Sequence, residues 1–151
     1  MCVYCKWREK LENDVSADIR EILTQYKTVA IVGVSPKPER DSYKVASFLK
    51  QQGYKMIPVT PNAKEVLGEP TYPDIISIPV DVDVVDIFRR PEEVLPVVEQ
   101  AISIGARVVW MQEGIVNEEA ATRARKAGLK VIMNHCMRKE LLRLLGREDE
   151  I

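Results

Sequence analysis

The segment with the clearest chemical pattern in this 151-residue chain is a loop that follows an apolar run. The run covers residues 29–34 and contains Gly33, which lets the backbone approach a ligand closely. Polar residues follow at short spacing: Ser35, Lys37, Arg40 and Ser42. A helix is predicted to begin at Asp41 or Ser42, and the free N–H groups of a helix start favour an anion. The pattern predicts a loop that binds phosphate, although a plain surface turn recruits similar residues.

The elements that must position this loop alternate between strands and helices. Apolar runs predict strands at residues 29–34, 54–59, 82–88, 106–111 and 129–133. Helical periodicity and end signals predict helices at residues 17–26, 43–50, 91–104, 118–127 and 138–145. This order predicts a single-domain α/β fold, a Rossmann-like three-layer sandwich with a five-stranded, mainly parallel sheet. The predicted domain covers residues 16–146, between an N-terminal extension (1–15) and a tail (147–151).

Local signals refine these boundaries. Ser16 and Asn117 are predicted helix caps because their side chains can accept a backbone N–H bond. Pro58 lacks a ladder donor, which predicts an edge position for the second strand. Residues 63–67 are predicted to form at most a short helix.

The end of the second strand bears on which nucleotide is bound. Sites for NAD place an acidic residue about 20 residues after the glycine loop, whereas this chain has Thr60, Pro61 and then Lys64. A lysine suits a ribose that carries a phosphate, as in NADP or coenzyme A, although it could equally be a solvated side chain. The loop also lacks the second and third glycines of the dinucleotide fingerprint, which counts against both nicotinamide cofactors.

The third and fourth strand ends add further candidates. Phe88 and Arg89 offer a ring to a base and a cation to phosphate. Trp110 and Gln112 are predicted to line the crevice. For Phe88 and Trp110, a place in the core is the competing interpretation.

Composition restricts the partners. The formal net charge is -1 and aromatic residues make up 6% of the chain, so nucleic-acid binding is not expected. No apolar run reaches the length of about 20 residues that spans a bilayer, and no signal-peptide core is visible. A cytoplasmic location without membrane partners is therefore expected, with the three cysteines reduced.

The ordered set of these motifs resembles a known family. The motifs are Val32-Gly33-Val34-Ser35, Gly53 to Pro61, Val82 to Arg89, Trp110 to Gly114, and Cys136 with Glu140. Together they resemble the small stand-alone CoA-binding proteins of the YccU-like type, which share the CoA-binding Rossmann domain of the succinyl-CoA synthetase α subunit. The resemblance covers residues 16–146. Many relatives have Asn-Pro where this chain has Thr60-Pro61.

The resemblance implies a bound coenzyme A or acyl-CoA at the strand ends. Gly33, Val34, Ser35 and Arg40 would meet its phosphates. Thr60, Pro61 and Lys64 would meet the adenosine-phosphate end, and Phe88 and Arg89 would line the pocket beyond. The phosphate-carrying histidine and the ATP-grasp domain of the synthetases have no counterpart, and the one histidine, His135, is interpreted as structural rather than catalytic.

The expected function is therefore binding of coenzyme A or an acyl-CoA without catalysis, to sense or carry the thioester. The alternatives are an NADP-dependent oxidoreductase and the CoA-binding subunit of an ADP-forming acyl-CoA synthetase. The partners considered are a homo-oligomer and a synthetase partner. Cys2 and Cys5 could form a metal or redox module, but a structural zinc site needs four ligands, and two ordinary thiols are favoured.

Overall fold

A five-stranded parallel sheet forms the centre of the molecule. The computed structural model describes residues 15–151. The strands, including a separate hairpin, are β1 (Thr28–Val32), β2 (Lys55–Val59), β3 (Glu65–Val66), β4 (Glu69–Pro70), β5 (Val84–Ile87), β6 (Val108–Met111) and β7 (Lys130–Ile132). The sheet order is β2-β1-β5-β6-β7, and every neighbouring pair in it is parallel. The predicted Rossmann-like fold class is confirmed.

Helices cover both faces of the sheet. Within the described residues they are α1 (15–25), α2 (Asp41–Gln51), α3 (Val94–Ser103), α4 (Glu118–Lys126) and α5 (Met137–Leu144). Short 3-10 turns are present at Pro91–Glu93 and Glu148–Glu150. Apolar residues of α1, α2 and α5 pack together on one face, and those of α3 and α4 pack on the other.

Strand β1 shows how the two faces form. Val29 and Ile31 pack toward α1, α2 and α5, whereas Ala30 and Val32 pack toward α3 and α4. All four are buried, because alternate residues of a strand project to opposite faces and helices cover both. The uninterrupted apolar run that predicted this strand therefore reflects burial on both sides.

Of the two predicted helix caps, one is confirmed and one is wrong. The Asn117 side chain accepts a 2.9 Å hydrogen bond from the Ala120 N–H, so the predicted cap of α4 is confirmed. Residues 15 and 16 already belong to α1, so the predicted cap at Ser16 is wrong. β2 lies at the edge of the sheet, as Pro58 predicted.

The prediction of a short helix at residues 63–67 is also wrong. β3 and β4 form an antiparallel hairpin there. Leu67 and Gly68 both have positive φ, at 54° and 77°, which is the mark of a two-residue turn of the type that joins tight hairpins. Lys50 of α2 holds the hairpin by a salt bridge of 3.1 Å to Glu69.

The strand order creates a topological switch between β1 and β5. From β1 the chain continues to its neighbour β2, and it later returns to the opposite side of β1 as β5. The loops that leave β1 and β5 therefore run in opposite directions and leave a crevice between them. Ligands of open parallel sheets bind in such a crevice.

Candidate functional site

A groove of about 590 Å³ opens where β1, β2 and β5 end. It is lined by Gly33, Val34, Ser35, Pro36, Lys37, Arg40, Asp41, Ser42, Thr60, Asn62, Phe88 and Arg89. Nine of the residues predicted from sequence are in this lining, and the exceptions are Pro61, Lys64, Trp110 and Gln112. The sheet topology thus brings together most of the predicted site.

Gly33 sits where the two loops come closest. Its φ is +84°, and a Cβ at this position would lie 2.2 Å from the Phe88 carbonyl oxygen. It would also lie 3.3 Å from Nε of Arg89. Glycine is therefore required by both backbone conformation and space. Because Gly33 has no side chain, the loops after β1 and β5 can lie close together, and their polar groups face one groove.

The loop after β1 is fixed to the start of α2 by short side chains. The Ser35 N–H donates a 2.9 Å hydrogen bond to Oγ of the buried Ser42. The Lys37 N–H donates to Oγ of Ser35 at 3.1 Å. Arg40 occupies the N-cap of α2 without a side-chain capping bond. The first N–H groups of α2 therefore remain available to an anion in the groove.

The charges of the groove are mostly positive. Three cationic side chains, Lys37, Arg40 and Arg89, line it with one carboxylate, that of Asp41. None of the three cations forms a salt bridge with another residue of the 15–151 range. The arrangement suits a ligand with several negative charges, such as a diphosphate.

The end of β2 contributes fewer groups than the sequence predicted. Thr60 is buried, and its Oγ1 accepts a hydrogen bond of 3.2 Å from the Asn62 N–H. Thr60 and Asn62 line the groove, whereas Pro61 and Lys64 are exposed and lie outside its lining. The predicted contacts from Pro61 and Lys64 remain predictions.

Trp110 does not line a crevice. It is fully buried, and its Nε1 donates a 2.9 Å hydrogen bond to the His135 carbonyl oxygen. The expectation that Trp110 contacts the ligand is therefore corrected: it belongs to the core and supports the loop after β7. Its place between the sheet and α5 follows from its size and single polar atom.

A second pocket, of about 180 Å³, adjoins the groove. The two share Asp41 and Phe88 in their linings. The other residues of the second pocket are Lys44, Val45, Gln112, Glu113, Ile115, Cys136, Arg138 and Lys139. Gln112 thus lines this pocket rather than the groove, and Phe88 borders both spaces.

A buried carboxyl group lies behind the second pocket. Asp86 of β5 is fully buried, and its Oδ1 accepts a 2.5 Å hydrogen bond from Nε2 of Gln112. Its Oδ2 has no hydrogen-bond partner among residues 15–151. Burial raises the pKa of Asp86 to about 7, against the opposing effect of the Gln112 bond. The sequence signal for it was an acidic residue inside an otherwise apolar strand.

Cys136 and His135 lie at the start of α5. Burial raises the pKa of the Cys136 thiol, and the charge of Asp86 acts in the same direction. The backbone N–H groups of Lys139 and Arg138 oppose that rise. His135 Nδ1 lies 3.3 Å from Oε1 of Glu140, an acid that is not adjacent to it in sequence.

Neither a metal site nor a membrane-spanning helix is found among residues 15–151. Within residues 15–151, no group of three or more His, Cys, Asp and Glu residues is arranged to hold a metal ion. Cys2 and Cys5, for which a metal or redox module was considered, lie outside the described residues. None of the helices in this part of the chain has the length and apolar character needed to cross a membrane.

Comparison with known proteins identifies relatives of this chain. Protein YneT of Bacillus subtilis (strain 168) is 38% identical over 128 residues, which cover 85% of this chain and 95% of YneT. A solved structure of a hypothetical protein from Pyrococcus horikoshii OT3 is 50% identical, with a TM-score of 0.84, and the match covers 87% of this chain and 92% of that one. Acetate–CoA ligase [ADP-forming] II of Archaeoglobus fulgidus is 35% identical over 81 residues, which cover 52% of this chain and 12% of the ligase.

A protein-family model also matches most of the chain. The model described as CoA binding domain matches residues 27–141. This range begins just before β1 and ends within α5, so it includes the groove and the second pocket. By this match, and by its likeness to YneT, the chain belongs to the CoA binding domain family.

Proposed function

We propose that the chain binds coenzyme A or an acyl-CoA in the groove at the ends of β1, β2 and β5. The observation that carries the proposal is the open N-terminus of α2, with Ser42 holding the loop against it and three cations beside it. Membership of the CoA binding domain family supports the same ligand class. Binding, rather than chemistry within the groove, is the role that these groups suit.

The phosphates account for the charged part of the groove. A diphosphate placed at the start of α2 receives backbone N–H groups and faces Arg40 and Arg89. Lys37 lies on the exposed side, where a flexible ammonium adds attraction with little geometric demand. The single carboxylate, Asp41, sits in the first helical turn and also borders the second pocket.

The pantetheine arm accounts for the second pocket. A ligand held by its phosphates at α2 can extend past Phe88, because this residue borders both spaces. Val45 and Ile115 offer apolar contact to the arm, and Gln112 offers a polar one. The volume of about 180 Å³ is suited to the thiol or thioester end rather than to a nucleotide base.

The likeness to acetate–CoA ligase extends the proposal to a partner. That likeness covers 12% of the ligase. We propose that the chain either acts alone as a CoA carrier, as a single chain or a homo-oligomer, or supplies CoA to a separate protein that performs the nucleotide-dependent step. NADP also carries a diphosphate and a phosphorylated ribose, so what favours CoA over NADP is the match to the CoA binding domain family.

Calorimetric titration with CoA, acetyl-CoA, dephospho-CoA, NAD and NADP tests the proposal. We expect binding of CoA and acetyl-CoA, and affinity for CoA reduced about tenfold in Arg40→Gln and in Arg89→Gln. Arg125→Gln, an exposed arginine in the last turn of α4, is the matched control and should bind CoA as the native chain does. Binding of NADP without binding of CoA would overturn the proposal.

A further inference from the structure

The second pocket contains a nucleophilic side chain that binding alone does not use. Cys136 lines the pocket and is the N-cap residue of α5. It is the free cysteine of the described residues. Whether a thiol at a helix start can react depends on the groups around it.

The surroundings include an unpartnered buried carboxyl oxygen. Asp86 projects from β5 on the same side of the sheet as Phe88, because the two are separated by one residue. Its Oδ1 is held by Gln112, a residue of the pocket lining, and its Oδ2 has no partner in residues 15–151. Its charge also acts on the thiol of Cys136. A fully buried carboxyl group left half satisfied is costly to stability, and such groups are typical of functional sites.

The position of the pocket indicates what would meet the thiol. The inference rests on the proposed function, since it takes an acyl-CoA bound by its phosphates at α2. The reactive end of that ligand would pass Phe88 and enter the space lined by Gln112 and Cys136. A thiol and a thioester would then share one small pocket.

We propose that Cys136 is an acyl acceptor that takes the acyl group from a bound acyl-CoA. Sγ of Cys136 attacks the thioester carbonyl carbon, and the bond between that carbon and the CoA sulfur breaks. The proton of the Cys136 thiol passes to Asp86, and Asp86 returns it to the departing CoA thiolate. The products are a thioester on Cys136 and free CoA, so no oxidant or reductant is needed.

The surroundings of both groups suit this exchange. A thiol held in its neutral form needs a base in order to react, and the buried carboxylate of Asp86 provides one. Gln112 orients that carboxylate through Oδ1 and leaves Oδ2 free to accept the proton. One thioester replaces another, so the reaction is close to balanced in energy and reversible. The chain would thus carry an acyl group on protein as well as on CoA.

The test uses a chain in which Cys136 is the single cysteine. Cys2→Ser and Cys5→Ser together leave one cysteine of the three in the sequence. After incubation with acetyl-CoA, intact mass spectrometry should show the addition of one acetyl group, located on Cys136 by peptide analysis and removed by neutral hydroxylamine. The further change Cys136→Ala should abolish the addition while calorimetry still detects CoA.

Asp86→Asn tests the base separately from the fold. Asparagine keeps an oxygen that can accept the Gln112 bond but cannot take the proton. We expect acylation about 100-fold slower, without the rise in rate through neutral pH that we expect of the native chain.

The outcomes separate this inference from the proposed function. CoA binding with no acetyl addition would overturn the acyl transfer and leave the binding proposal standing. An added mass of a whole CoA, reversed by dithiothreitol, would overturn it in favour of a mixed disulfide. No binding of CoA by calorimetry would overturn both.

Discussion

The backbone N–H of Ser35 donates a hydrogen bond of 2.9 Å to Oγ of Ser42, and this bond closes the loop after β1 against the first turn of α2. Ser42 is buried although its side chain is polar. A hydroxyl that accepts from the loop backbone fixes the distance between the loop and the helix start. The groove is therefore built around a helix N-terminus that is held in place before any ligand arrives.

Ser42→Ala should weaken both the fold and the binding of CoA. The Ser35 N–H would lose its acceptor, and we expect a loss of about 1–2 kcal/mol in the free energy of unfolding and about tenfold in CoA affinity. Ser47→Ala in the same helix is the control, since Ser47 only accepts a 3.4 Å bond from Gln51. Chemical denaturation and calorimetry measure the two effects, and equal effects of both variants on CoA affinity would contradict the assignment.

Gly33→Ala should be far more harmful than the same change at Gly53. Both glycines have similar positive φ, +84° and +88°, so the conformational cost of about 1–2 kcal/mol is shared. A Cβ at Gly33 would in addition meet the Phe88 carbonyl oxygen at 2.2 Å, whereas nothing lies within 4 Å of one at Gly53. We expect an extra loss of about 2 kcal/mol or more.

Denaturant titration of the two variants isolates this collision. If they lose the same free energy of unfolding, the close approach of the β1 and β5 loops does not exist in solution. A Gly33→Ala variant that stays folded should also bind CoA more weakly, because the loops must separate to admit the methyl group. Gly53→Ala should leave CoA affinity unchanged.

The sequence predicted the sheet well because each strand is a short apolar run between turn signals. The hairpin of β3 and β4 was missed, because residues 63–67 carry no strand pattern and the two residues of its turn adopt positive φ only in the folded chain. The phosphate loop was predicted from local spacing. Phe88 was also predicted as a site residue, but its close approach to Gly33 depends on the sheet order, which no local pattern specifies.

The second pocket shows where sequence reasoning stops. Asp86 lies on β5, Gln112 directly follows β6, and Cys136 directly precedes α5. These positions are far apart in sequence, so only the folded chain brings the three residues together. Trp110 illustrates the opposite error. A large aromatic residue at a strand end suits both the wall of a ligand site and the core. The structure buries Trp110 between the sheet and α5, so it belongs to the core.

Asp86→Asn should make the protein more stable at neutral pH and not at low pH. The folded-state pKa of Asp86 is raised to about 7 from an ordinary value of 3.8, so between these values the native chain holds a proton that the unfolded chain has lost. The stability of the native chain therefore falls as pH rises through this window, and the penalty is complete above about pH 7. Asparagine lacks the penalty, and the gain should reach about 2–4 kcal/mol.

Denaturation of both chains from pH 4 to pH 8 measures that difference directly. Every other titratable group is present in both chains and cancels in the comparison. The difference should be small at pH 4 and grow toward pH 8. A constant difference across the range would show that Asp86 titrates at its ordinary pKa and that its burial is relieved in solution.

Trp110→Phe should impair acyl transfer to Cys136 and leave CoA binding intact. The indole Nε1 donates the 2.9 Å bond that holds the His135 carbonyl, the residue directly before Cys136. Phenylalanine keeps an aromatic ring, although a smaller one, and leaves that carbonyl without its donor, so the start of α5 loses one of the two hydrogen bonds that hold His135 to β6. We expect a loss of about 1–3 kcal/mol in stability and slower acetylation. The affinity for CoA should hold, because the phosphate loop lies on other elements.

A general loss of stability could also slow the acetylation, so the control is Met111→Leu. Met111 is fully buried, next to Trp110 in β6, and packs on the opposite face of the sheet. The swap conserves volume and costs less than about 1.5 kcal/mol, and it keeps the 3.3 Å backbone hydrogen bond from the His135 N–H to the Met111 carbonyl oxygen. Acetylation rates are measured by mass spectrometry at a temperature at which both variants are folded. The rate should fall in Trp110→Phe and equal that of the native chain in Met111→Leu. Equal rates in the two variants would mean that the anchor at His135 does not position the thiol, and that Trp110 serves the core alone.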